Sequence, residues 1–223
     1  MSGKVRSTEI MATLRQTWVG ERCSYENHCA CRQGSWCPQS KLSSGENDHP
    51  MLHLAGCSFT SNHCCCQILE EIDNLAVDYL ERAGVTSPPV PYEVISLFDT
   101  QRPIEIRYLP MKHYQGCTWS IDRQWIVHIN EDLRSEARHF TAFHEGFHII
   151  CGSSGLSFKD NRHGHQIVSE RLADYFSASI LMPREMTYRY WSEIKDLKKM
   201  AGIFSVPEAE MKDWLIRLRI LPA

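Results

Sequence analysis

From Ile68 onward, the apolar residues Ile68, Leu69, Ile72, Leu75, Ala76, Tyr79 and Leu80 recur three and four positions apart. That spacing predicts an amphipathic helix, and Gly84 is a natural stop for it. The stretch Ser87-Pro88-Pro89-Val90-Pro91 breaks the chain, and Val94, Ile95, Leu97 and Phe98 predict a short second helix. The period then changes to two. Ile104, Ile106 and Tyr108 alternate with Glu105 and Arg107, and two further strand-like stretches, 118–121 and 125–130, flank the turn residues Asp122 and Arg123. These three segments are expected to form a small antiparallel sheet.

Asn130 reads as a helix N-cap with Glu131 and Asp132 in the first turn, and Phe140, Phe143, Phe147 and Ile150 make one apolar stripe beyond it. A polar Gly/Ser-rich loop over 152–165 leads into a helix from about Gln166 to Leu181, which Pro183 ends. Two more helices are expected, about Glu185 to Met200 and Val206 to Arg219, the second opened by the capping box Ser205-Val206-Pro207-Glu208. Short strands followed by several helices imply an α+β domain over residues 67–223.

Composition changes the picture at the N-terminal end. Eight of the ten cysteines lie within residues 1–66, a segment with only eight Val, Ile, Leu or Phe, too few to fold by burial alone. It is expected to be either disordered or a metal-held knot using those cysteines with His28, His49, His53 and His63, although their spacing does not match paired Cys-x2-Cys zinc knuckles. A third reading makes it upstream sequence, with the natural start at Met11 or Met51. Twenty-four Lys and Arg against 27 acids give a net charge of -3, which argues against a nucleic-acid or anionic-membrane binder. No stretch approaches the ~18 apolar residues of a membrane span, and the opening residues lack the core of a signal peptide, so a cytoplasmic protein is expected.

Within the Phe-striped helix stands His144-Glu145-Gly146-Phe147-His148. Histidines four apart lie one turn apart on the same helical face, so both imidazoles can reach one cation, and Glu145, about 100° round, can serve as general base on a water beside it. The bland alternative is a surface pair, but histidines flanking a phenylalanine stripe would be partly buried and need partners. A catalytic zinc wants a third ligand. Glu170 is the best candidate, followed four residues on by Asp174, which can accept a hydrogen bond from a liganding histidine and fix its tautomer. Leu172, Ala173, Tyr175, Phe176, Ala178, Ile180 and Leu181 make that helix apolar nearly all round, so Asp174 needs a partner.

The stretches Phe140–Ile150 and Ser169–Pro183, the latter reading SERLADYFSASILMP, resemble the ImmA/IrrE family of zinc-dependent peptidases. There a His-Glu-x-x-His helix is followed by a helix reading Glu-x-x-Ala-(Asn/Asp)-x-Phe-Ala and ending Leu-Met-Pro. The resemblance runs from about Ile68 to the C terminus and leaves out residues 1–66. It implies a zincin-like α+β fold, one zinc ion on His144, His148 and Glu170, and Glu145 as general base. It further implies a protein substrate, a helix-turn-helix repressor of a mobile element or stress response. One position departs: the family usually has glycine immediately before the second histidine, whereas here Gly146 lies one position earlier and Phe147 takes that place. Gly146 could then admit a neighbouring strand, and Phe147 could narrow the substrate cleft.

Peptide hydrolysis also needs a partner for the developing oxyanion. His163 and His165 are candidates, their alternative being solvated loop histidines; Tyr175 and Tyr188 are weaker ones. Two other functions compete. Leu197–Leu218 has the helix, turn and helix of a DNA-binding module, but its second helix begins with Glu208, Glu210 and Asp213, which would face phosphates with the wrong charge. The chain could instead be a metal-binding regulator or toxin-antitoxin partner that holds a repressor without cutting it.

Overall fold

Strand β3, Gln124–Asn130, is the middle of the sheet. Val127 and Ile129 are fully buried, and Ile126, on the opposite side of the strand, is buried as well. A strand covered on both faces belongs between neighbours. The computed structural model describes residues 65–153 and 163–222, and the strand order in its sheet is β1 (Ile104–Leu109), β3, β2 (Gly116–Ile121).

The expected all-antiparallel sheet is corrected here: the sheet is mixed. β2 and β3 form an antiparallel hairpin with Thr118 opposite Val127, whereas β1 runs parallel to β3 with Ile106 opposite Val127. The hairpin turn is Asp122-Arg123, both at positive φ (48° and 62°), as a two-residue type I′ turn requires. Because β3 is buried on both faces, it takes the centre, and β1 reaches its far edge by a connection over 110–123 that contains β2 itself.

Helix α1, Cys65–Ala83, presents Ile72, Leu75, Ala76 and Tyr79 to the core and ends at Gly84, whose φ of +68° suits a residue without Cβ. A 3-10 turn, Tyr92–Leu97, buries Val94 and Ile95 and delivers Phe98 to the centre. Helices α2 (Ser135–Ser153) and α3 (His163–Leu181) pack together through Phe143, Phe147 and Phe176, with Phe98 edge-on to two of these rings. Each such ring stabilises by roughly 1.5–3 kcal/mol when taken from water. The chain closes with α4 (Arg184–Ile194), α5 (Leu197–Phe204) and α6 (Glu208–Arg217).

Three boundaries differ from expectation, two because a side chain found another local partner and one because the backbone turned left-handed. Asn130 caps no helix: its Oδ1 accepts from the backbone N–H groups of Met111 and Asp132, closing the strand end, and α2 starts later. The expected helix over 185–200 is two, since Lys195 takes a left-handed conformation and the Asp196 carboxylate caps α5 by accepting from Lys199 N–H at 2.9 Å. The capping box at Ser205 does not form. Ser205 is the left-handed C-cap of α5, and α6 begins after Pro207.

The cysteine-rich segment, apart from the start of α1, and most of the loop expected over 152–165 lie outside the described residues. Among the described residues, no helix is long and apolar enough to cross a membrane.

Candidate metal centre

Helix α2 turns its phenylalanines inward, and the residues between them face the neighbouring helix and sheet. His144 and His148 lie side by side on it, ring centroids 5.2 Å apart. From α3, Glu170 reaches both: Oε2 is 3.2 Å from His144 Nε2 and Oε1 is 3.5 Å from His148 Nε2. One donor atom from each of His144, His148 and Glu170 lies within 4.8 Å of the others. Tetrahedral sites with bonds of ~2.0–2.1 Å have donors roughly 3.3 Å apart, and each Glu170 oxygen stands at about that separation from one of the two histidines. Two imidazoles and one carboxylate are also a donor set that divalent transition-metal ions take. The residues present therefore fit a metal.

Asp174, one turn beyond Glu170, holds His144 Nδ1 at 2.8 Å. With Nδ1–H donating to Asp174, the remaining nitrogen is the one aimed at Glu170. Without a cation, both ring nitrogens face carboxylate oxygens, and only an imidazolium satisfies both. Burial opposes that charge, but the hydrogen bonds to Asp174 and Glu170 outweigh it and push the His144 pKa up to about 10. His148 behaves oppositely: burial and the neighbouring His144 charge hold its pKa below the usual value, leaving it neutral. The hydrogen bond from His144 lowers the Glu170 pKa, against partial burial. Glu170 is half exposed (53%), so the site opens to solvent on the α3 side.

Glu145, next to His144 on α2, is buried and bonded to β2. Its Oε2 accepts a 2.7 Å hydrogen bond from Thr118 Oγ1. Burial raises the Glu145 pKa, partly offset by that bond and by the His144 charge. Thr118 was legible in the sequence only as a strand residue. Its place beside Glu145 depends on how the sheet sits against α2, which no local pattern carries.

Of the remaining candidates, the two tyrosines are engaged elsewhere. His163 and His165 open α3 instead of preceding it in a loop, and their side chains lie outside the described ones. Tyr175 is a core residue whose hydroxyl donates to Asp73, and Tyr188 donates to Leu218 O. Gly146 accommodates an aromatic ring and not a strand: a Cβ there would stand 2.4 Å from Phe98 Cε2. Phe147 narrows no cleft, since it is 1% exposed and packs on Phe176.

Among known families, the model of the IrrE N-terminal-like domain, Peptidase M78, matches residues 100–212. No curated protein matches the chain significantly. Among solved structures, a Mycobacterium tuberculosis transcriptional regulator is similar in fold, with a TM-score of 0.50 at 13% identity over 66% of this chain. The chain spans about half of that structure's length (46%).

Proposed function

The chain belongs to the IrrE N-terminal-like (Peptidase M78) family, with its zincin-like α+β fold, and from that membership we propose that it is a zinc-dependent endopeptidase. The observation that carries the reading is the convergence of His144, His148 and Glu170 beside a buried Glu145. His144, His148 and Glu170 would hold one divalent ion, and Asp174 would fix the His144 tautomer. When bound there, the ion supplies a Lewis acid for the scissile carbonyl and makes a neighbouring water more acidic. Glu145 takes the proton of the attacking water and returns it to the leaving amine. His163 or His165 would steady the oxyanion if the start of α3 carries either ring to the carbonyl.

The substrate we infer is a helix-turn-helix repressor, on the family resemblance carried by Glu170, Ala173, Asp174 and the Leu181-Met182-Pro183 ending.

The test pairs metal content with cleavage. Purified wild type should carry one zinc per chain, and His144→Ala and Glu170→Ala should lose it. Wild type added to a host-cell extract should generate new protein N termini that Glu145→Gln, still metal-loaded, does not. Metal-loaded wild type that yields no Glu145-dependent termini would turn the reading toward a binder that does not cut.

A further inference from the structure

We propose that Gly116 and Thr118 of β2 form a seat that orients the Glu145 carboxylate, which makes Thr118 a positioning residue for proton transfer; this rests on the peptidase reading. Residues two apart on a strand share a face, and these two face α2. Thr118 Oγ1 is 2.7 Å from Glu145 Oε2 and 3.4 Å from the Glu145 carbonyl oxygen. A hydroxyl has one proton, and the shorter, charge-assisted bond to the carboxylate claims it. Among the described residues, no other side chain donates to this carboxylate. A β-branched residue on a strand has few χ1 choices, so the direction of the donor is set by the backbone of β2.

Gly116 completes the seat by lacking a side chain. A Cβ there would fall 3.0 Å from both Glu145 Cγ and Oε1, and 2.7 Å from Thr141 Cγ2. The strand backbone therefore lies directly against the glutamate stem. Oε2 is engaged by Thr118, and Oε1 remains for the exchanging proton. A glutamate otherwise has three side-chain torsions to distribute over, and a misplacement of ~1 Å in a reacting group costs on the order of 100-fold.

The alternative is that Thr118 merely satisfies a buried acceptor. The two differ in measurable ways. Thr118→Val should keep full zinc content, and its Glu145-dependent release of N termini from cell extract should fall about 10- to 100-fold. Thr118→Ser should restore the rate to within threefold of wild type, because serine keeps the hydroxyl and loses only the methyl. In a crystal of metal-free Thr118→Val, the Glu145 carboxylate should leave its wild-type position. Near-wild-type cleavage by Thr118→Val, or no rescue by serine, overturns the seat, as does an unmoved carboxylate in that crystal. If Glu145→Gln cleaves as wild type does, the peptidase reading falls, and the carboxylate position in the metal-free crystal alone decides the seat.

Discussion

Asp174 Oδ1 stands 2.8 Å from His144 Nδ1, so one acid on α3 sets which nitrogen of a histidine on α2 is left for a cation. Two consecutive helices thus share the preparation of one ligand. Carboxylates behind liganding histidines fix ring orientation and raise ligand basicity.

Asp174→Ala should accordingly bind zinc about 10- to 100-fold more weakly than wild type while leaving all three ligands in place. Competition against a chromophoric chelator at fixed pH measures this. Unchanged affinity would mean that packing alone orients the His144 ring.

Gly146→Ala should destabilise the protein by about 1–3 kcal/mol, the usual cost of forcing an extra carbon into a filled core. The methyl would meet the Phe98 ring, which is edge-on to Phe143 and Phe176 and cannot retreat freely. Denaturant melts of the metal-free protein read the loss. Combining the change with Phe98→Leu should recover part of it, since the ring edge that the methyl strikes is gone.

His139 predicts a pH dependence away from the metal centre. It is buried between two carbonyls, with Nδ1 2.9 Å from Ser205 O and Nε2 2.9 Å from Val90 O, and it packs on Tyr92 and Phe143. Burial lowers its pKa, against the pull of both carbonyls for an imidazolium. A histidine with a depressed folded pKa contributes fully above its unfolded value of ~6.5 and is progressively lost as the pH falls through its folded pKa. Wild type should therefore lose stability on acidification through that window. His139→Gln should be less stable at pH 7.5 but show a shallower loss on acidification, read from denaturant midpoints at several pH values. Equal slopes would remove His139 as the source.

Much of the candidate site was legible because its logic is local. His144 with His148, and Glu170 with Asp174, are each one helical turn apart, and periodicity alone places each pair on one face. What escaped depends on contacts between distant segments. Both β1 and β2 read as ordinary strands, yet which of them neighbours β3, and in which direction, depends on where the connection over 110–123 runs. Thr118 escaped for the same reason, being 27 residues from the carboxylate it binds. Ser205 and Lys195 show a different limit. Neither is glycine, and both adopt left-handed backbones at helix ends, which local propensity assigns to other residues.

Asp73 on α1 receives hydrogen bonds from the Tyr175 and Ser179 hydroxyls and the Arg184 guanidinium, so a residue well upstream of the family match is fastened to the helix that carries Glu170. A fragment trimmed to begin at residue 100 would leave those three donors facing a gap and remove Ile72, Leu75 and Phe98 from the interior. Expression boundaries drawn from the matched region would thus yield an unstable product, and the smallest useful truncation has to retain α1 whole.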